Sequence, residues 1–301
     1  MENELVTVII TTYKRSFDML YRALNSVINQ TYDNLEIIVI DDSPENFEGR
    51  KIIKEQISAM NDERIKYIQH EKNKGACAAR NTGIKASNGR IIMFLDDDDE
   101  WTKEKVKKHY DIHIKKNAQF VYSGCKRIMQ LKNGKTKADF VLKTHEDKVF
   151  FEKLLGENFV GSVSFVSITR KCIKECGYFN EELKSCQDWD MWIRVISKFK
   201  ASFINEPLVI YYIHQSERIT TNPKKQLQGH EFIMKSYEKL LNKYPLALRE
   251  NLYRMSRLYA DDKNYKKSII FWKQANNVRP YSINDSIKAF LKIVVRYKII
   301  S

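Results

Sequence analysis

The chain has 301 residues, 43% of them hydrophobic, with a formal net charge of +14 at pH 7. That is enough apolar material for a sizeable core, which excludes a disordered chain, and no apolar run approaches the roughly 18 residues of a membrane-spanning helix. Five cysteines at irregular spacing argue against a disulfide framework, and point to a reducing compartment.

The opening stretch, MENELVTVIITTYKR, carries acids and then a β-branched run with no basic region ahead of it. It reads as a first strand rather than a secretory signal, so a cytoplasmic protein is expected. Up to about residue 125, short apolar runs alternate with helix-period segments, the pattern of βαβ units building a mostly parallel sheet. The strand-like runs are Val6–Ile10, Leu35–Ile40, Ile65–Gln69, Arg90–Leu95 and Gln119–Ser123. Phe17, Leu20, Leu24, Val27 and Ile28 mark one face of a first helix, and Ile53, Ile57 and Met60 that of a second. A third helix follows Gly75, and a fourth is expected from Thr102. Asn133-Gly134 predicts a hairpin, an antiparallel patch that interrupts the parallel alternation.

Further along come a helix near Asp147–Leu155, an apolar run Val163–Ile168, the segment CGYFNEELKSCQDWDMWIRVISKF, and a last strand-like run ending at His214. Near residue 222 the composition shifts to helix formers with wide Lys spacing, dividing the chain into 1–221 and a basic helical region, 222–301. There Tyr259, Tyr265, Trp272, Ala275 and Pro280 fall at the offsets of one tetratricopeptide-like unit, read as a helical hairpin. A final helix puts Ile287, Phe290, Leu291, Val294 and Val295 on one face and Lys288, Lys292 and Arg296 on another.

From Lys225 onward sixteen Lys and Arg face six acids, so this end holds most of the excess charge. A phosphate-bearing substrate, an anionic membrane surface or nucleic acid could answer it, as could plain solvation. The final helix suits peripheral binding to an acidic bilayer, or packing on its own domain or on a twin subunit in a homo-oligomer.

Chemistry is expected beyond the carboxyl ends of the strands, where open α/β sheets bind ligands. The first strand ends in TTYKR, the second in DDS and the fourth in DDDDEW. No Gly-x-Gly-x-x-Gly or Gly-Lys-Ser/Thr loop is present, so neither dinucleotide nor P-loop phosphate binding is supported. Four adjacent carboxylates repel one another and resist burial unless something compensates them. A divalent cation would do so, since Mg²⁺ or Mn²⁺ takes hard oxygen ligands and is commonly held by one or two carboxylates plus substrate phosphates. If the segment is extended, alternate residues share a face, which pairs Asp96 with Asp98 and turns Asp97 and Asp99 elsewhere. An acidic helix N-terminus would account for Asp99 and Glu100 without any ligand.

His109 and His113, spaced i, i+4, lack a third ligand and read as surface residues. Cys172, Cys176 and Cys186 read as small buried side chains. Trp189, Trp192, Ile193 and Ile196 mark the buried face of a helix, which leaves Asp188 and Asp190 on its flanks.

Taken together, VTVIITTYKR, QTYDNLEIIVIDDS, NKGACAARNTGIKASNGRIIMFLDDDDEW and GYFNEELKSCQDWDMWIRV resemble the family 2 glycosyltransferases of the GT-A fold, in the right order from residue 5 to about 215. The resemblance implies a Rossmann-like α/β domain with helices on both faces of its sheet, and an inverting transfer from a nucleotide-diphosphate sugar, usually UDP-linked, assisted by Mn²⁺ or Mg²⁺. It implies that Thr11, Tyr13, Asp41 and Asp42 hold the base and ribose, with Arg80 near the diphosphate and Asp97 among the donor-binding residues. Asp96 and Asp98 match the metal-binding Asp-x-Asp, Asp98 being favoured over Asp96 as a direct ligand, and His214 matches a His that approaches the metal or diphosphate. Asp188, just before the Trp, matches the catalytic base. Gln187 departs from the family, where Glu is usual, which puts any role of a second acid in doubt. Family habit and the basic tail suggest a cell-envelope glycan or lipid-linked saccharide as acceptor. Two rival readings stand beside it: a nucleotidyltransferase, which would need a Gly-rich loop after the first strand, and a nucleic-acid or membrane module on the basic tail. The tail shows no nucleic-acid reading motif.

Overall fold

The computed structural model describes residues 4–130, 136–142, 147–213 and 222–278. The chain divides into two compact units, one of Met1–Thr144, Val160–Glu181 and Arg194–Gln215, the other of His145–Phe159, Glu182–Ile193 and Ser216–Ser301. The second unit thus gathers two short stretches from mid-chain with the C-terminal region.

The first unit is built on a mixed sheet. Its strands are β1 (Val6–Thr12), β2 (Leu35–Asp41), β3 (Ile65–Gln69), β4 (Ile91–Asp96), β5 (Glu100–Trp101), β6 (Phe120–Gln130), β7 (Thr136–Val141), β8 (Val166–Thr169) and β9 (Ala201–Ile213). Among the described residues they run β3-β2-β1-β4-β8-β6-β9-β5, with β7 pairing β6. Strands β3, β2, β1 and β4 are parallel, and β8 is antiparallel to both β4 and β6. Strands β1, β2 and β4 are apolar runs buried on both faces, as helix-covered strands must be, whereas β3, at the end of the strand order, is only partly buried. Around them lie α1 (Phe17–Ile28), α2 (Gly49–Ala59), α3 (Ala76–Ala86) and α4 (Lys105–Lys116). Leu20, Leu24 and Val27 of α1, and Ile53 and Ile57 of α2, are buried as the spacing predicts.

Two differences from the sequence reading have clear causes. Helix α4 begins at Lys105, not Thr102, because the chain leaving the acidic run is captured by β9: Glu100 and Trp101 pair with Ile210 and Val209, and the Thr102 amide donates to the Leu208 carbonyl. His109 and His113 are buried rather than exposed. Their i, i+4 spacing turns both inward onto the Ser167 hydroxyl of β8, at 2.8 and 2.7 Å. His113 also donates from Nδ1 to the Ala118 carbonyl, and Nζ of the buried Lys105 lies 3.1 Å from His109 Nε2. Satisfied polar partners let these groups sit in a core that sequence pattern alone would forbid them.

Helix α5 (Asp147–Gly156) belongs to the second unit, α6 (Arg170–Cys176) to the first, and α7 (Gln187–Ile196) starts in the second. The second unit continues with α8 (Pro223–Ser236), α9 (Glu238–Leu241), α10 (Pro245–Asp261) and α11 (Tyr265–Val278). Helices α10 and α11 form the expected helical hairpin, turning at Lys263 with a positive φ of 63° and burying Tyr253 and Ala275 between them. Trp189 and Trp192 are core residues, Trp189 donating from Nε1 to the Leu154 carbonyl at 2.6 Å. Among the described residues no helix is long and apolar enough to cross a membrane. Asn133-Gly134, His214 and the helix expected over 287–296 lie outside the described residues, although β6 and β7 pair antiparallel up to Gln130↔Thr136.

Candidate active site

Parallel registry aligns the polar strand ends in one row. Thr11 of β1 lies beside Ile40 of β2 and Asp96 of β4, and Thr12 beside Asp41. Asp42, Tyr13 and the rest of the acidic run follow just beyond. The row thus brings together Thr11, Tyr13, Asp41, Asp42, Asp96, Asp97 and Asp98, and α3 adds Arg80.

The four acids are accommodated in three ways. They form a tight turn, not an extended strand, closed by the Asp99 amide donating to the Asp96 carbonyl at 3.1 Å. Asp99 is fully buried, neither of its carboxylate oxygens has a hydrogen-bond partner among the described residues, and burial pushes its carboxyl well above the usual range. The uncharged acid is therefore favoured there. Asp97 is also buried, which pushes it up to about 6 against the opposing pull of Arg15 and the Thr12 hydroxyl. Thr12 donates to it at 2.7 Å and Arg15 at 3.2 Å. Asp96 and Asp98 keep partly exposed carboxylates, at 30% and 24% of the side chain. Arg80 pairs with Asp96 at 3.0 Å, and Arg15 reaches Asp98 at 3.5 Å. The two carboxylates expected to face a ligand are thus the two that remain accessible, though through a turn and not through strand alternation.

Further groups brace this turn. Arg22 of α1 donates to the Asp98 carbonyl at 3.0 Å, lies 3.1 Å from Glu100, and stacks over Tyr212 at 4.1 Å. Ser162 donates to Asp96 Oδ2 at 3.0 Å, and the Asp96 amide donates to Ser164 Oγ at 3.1 Å. Neither serine carried a signal in the sequence; each reaches Asp96 only because β8 runs antiparallel to β4, which sets the preceding residues beside the end of β4.

The aspartates after β2 hold the neighbouring loop. Asp41 accepts from the Ser43 amide at 2.9 Å and the Tyr67 hydroxyl at 2.6 Å. Asp42 accepts from the Lys74 and Gly75 amides, both at 2.8 Å, and lies 2.7 Å from His70 Nδ1. A carboxylate offers about four acceptor positions, so Asp42 keeps about one for a ligand. Gly75, at φ 92°, supplies a backbone that delivers its amide to Asp42 and opens α3. Buried His70, whose Nε2 lies 2.9 Å from the Thr82 hydroxyl, joins this loop to α3 and was missed by the sequence reading. Tyr13 is 44% exposed, with Lys14 Nζ 5.6 Å from the centroid of its ring, and so offers an aromatic surface to a ligand. Beside it Lys14, Arg15, Phe17, Phe47 and Ile52 line an open cavity of about 700 Å³.

In the second unit Asp190 is buried and takes the Tyr237 hydroxyl at 2.6 Å, whereas Asp188 is partly exposed and accepts the Trp189 amide at 2.8 Å. Gln187 donates from its amide to the Leu183 carbonyl at 2.8 Å, a bond that an ionised Glu could not make.

Among the described residues no group of three or more His, Cys, Asp or Glu is arranged to hold a metal. The oxygen-only pair Asp96 and Asp98 instead fits a hard cation bound through one or two carboxylates and completed by phosphates and water.

A family model described as glycosyl transferase family 2 matches residues 7–175. The chain is 30% identical over 248 residues to the putative colanic acid biosynthesis glycosyl transferase WcaA of Escherichia coli K12, covering 79% of this chain and 83% of that one. It is 29% identical over 230 residues to the E. coli UDP-Glc:alpha-D-GlcNAc-diphosphoundecaprenol beta-1,3-glucosyltransferase WfgD, with 76% and 84% covered. Among solved structures, S. aureus TarS 1-349 in complex with UDP-GlcNAc superposes with a TM-score of 0.68 at 18% identity, over 97% of this chain and 89% of that one. The Pyrobaculum calidifontis mannosyltransferase PcManGT, in complex with GDP-Man and Mn²⁺, gives 0.59 at 13%, over 97% and 81%. These two likenesses carry the fold.

Proposed function

The chain belongs to glycosyl transferase family 2, and from that premise we propose that it transfers a sugar, with inversion, from a UDP-linked donor to a hydroxyl of a cell-envelope glycan or lipid-linked saccharide. The observation that carries this reading is the turn at the end of β4, where two accessible carboxylates, Asp96 and Asp98, stand among Arg80, Arg15 and the exposed ring of Tyr13. The relatives support the substrate class: WcaA is named for colanic acid biosynthesis, and WfgD for transfer from UDP-Glc to a diphosphoundecaprenol-linked sugar.

Tyr13 stacks on the base, Thr11 and the remaining acceptor position of Asp42 take its polar edge and the ribose, and Asp41 holds the strand end beneath them. Asp97 serves this donor set through Thr12 and Arg15. Arg80 and Arg15 turn from the carboxylates toward the diphosphate oxygens, for which a planar guanidinium is well suited. Asp96 and Asp98, with His214 as a further candidate, would hold Mn²⁺ or Mg²⁺, which when bound supplies positive charge against the departing diphosphate. Asp188 takes the proton of the acceptor hydroxyl as its oxygen bonds to the sugar's anomeric carbon, and the bond from that carbon to the diphosphate breaks with both electrons leaving on the nucleotide.

The metal seat is tested by titrating UDP into the protein with and without Mn²⁺. Asp98→Ala should abolish the Mn²⁺-dependent part of the binding while the melting temperature holds. Unchanged Mn²⁺-dependent binding would place the seat elsewhere.

A further inference from the structure

The Asp96 carboxylate is held at both ends. Oδ1 accepts from Arg80 at 3.0 Å and Oδ2 from the Ser162 hydroxyl at 3.0 Å, while the Asp96 amide donates to Ser164 Oγ at 3.1 Å. Ser162 Oγ in turn caps its own turn, accepting the Ser164 amide at 3.2 Å. Two buried groups root that turn, a single 3₁₀ turn over Val163–Phe165. Trp101 donates from Nε1 to the Ser164 carbonyl at 2.9 Å, and Lys105 donates to the Phe165 carbonyl at 3.2 Å. Lys105 is wholly buried, and its Nζ also lies 3.1 Å from both the Ser123 hydroxyl and His109 Nε2, so three polar partners fix its position. Arg80 is a long side chain that can leave Asp96 for an anion; Ser162 is short, and its turn is anchored from below.

From this we infer that Ser162 is a positioning residue for the donor site: through its bond to Oδ2 it fixes the rotamer of Asp96 and so aims the free lone pairs of that carboxylate at an incoming divalent cation. The inference rests on the donor reading above. A carboxylate ligand whose outer partner is removed loses orientation, and such losses typically cost 10- to 100-fold in metal affinity. The bond is absent from any motif because it joins positions 66 residues apart.

The experiment is calorimetry on the full chain with whichever of UDP and GDP the wild type binds, with and without Mn²⁺, alongside thermal unfolding. Ser162→Ala should weaken Mn²⁺-dependent nucleotide binding about tenfold or more, leave metal-free binding unchanged, and leave the melting temperature within a few degrees, because Ser162 is only partly buried. Ser162→Thr, which keeps the hydroxyl, should retain the wild-type affinity. Wild-type affinity in Ser162→Ala, or an equal loss with and without metal, would overturn the inference. Should Ser162→Ala lower the melting temperature, the double variant with Asp96→Asn decides: a hydroxyl acting through Asp96 adds no further loss of Mn²⁺-dependent affinity, and additive losses reject it. Absence of any Mn²⁺ dependence in the wild type would instead sink the donor reading itself.

Discussion

At the scale of single residues, burial distinguishes Asp188, the proposed base, from its neighbour Asp190. Asp190 spends its carboxylate on Tyr237 inside the unit, while Asp188, two positions earlier on the same helix, keeps a partly exposed carboxylate at the helix N-terminus. A base must exchange its proton with a substrate, so only the accessible acid is suited to the task. Asp188→Asn should keep nucleotide affinity near the wild-type value and lower kcat by roughly 10²–10⁴, measured as nucleotide release with acceptor present; retained turnover would reject the assignment. The acids were legible because they interrupt apolar strands, where charge has no place without a purpose. Ser162, Ser164, Arg22 and His70 were not, since nothing in a serine or a surface-type arginine marks the partner that folding brings to it. His109 and His113 misled for the same reason: periodicity placed them on one helix face, but only the sheet supplies Ser167 beneath that face.

Among elements, β1, β2 and β4 could be read almost to their ends, because a strand buried on both faces leaves an unbroken apolar run. The start of α4 could not, since it depends on the pairing of Glu100 and Trp101 with β9, more than a hundred positions away. The closeness of α3 to β1 is another property that only the assembled layers reveal. A Cβ added at Gly83 would lie 2.4 Å from Ile9 Cγ2, with two further Ile9 atoms within 3.2 Å. Gly83 therefore lets α3, which carries Arg80, lie close on the strand that carries Thr11. Gly83→Ala should cost about 1–3 kcal/mol of stability by forcing the helix off the sheet. The clash is with one side chain, so Gly83→Ala combined with Ile9→Ala should lose clearly less than the sum of the two single variants in denaturant unfolding. Additive losses would mean that the helix is set by something other than this contact.

For the molecule as a whole, buried titratable groups set opposing responses to acid. Burial lowers His113 and His230 to about 4 and His109 well below its usual value, two of them in the first unit and His230 in the second. The unfolded chain binds these protons near pH 6.5 and the folded chain does not. Between about 6.5 and 4 the unfolded state thus holds more protons, and these histidines make stability fall as pH falls. Asp97 and Asp99 are raised and act in the opposite direction, the folded state binding their protons first, so the slope for the intact protein is a difference of two terms. A variant isolates one of them. His113→Asn should be destabilised at pH 7.5, where it gives up the bonds to Ala118 and Ser167. The gap to wild type should then narrow by on the order of 2 kcal/mol at pH 5, because only the wild type must keep an imidazole neutral there. Denaturant unfolding at the two pH values measures that gap directly, and a gap independent of pH would mean that His113 is protonated inside the fold.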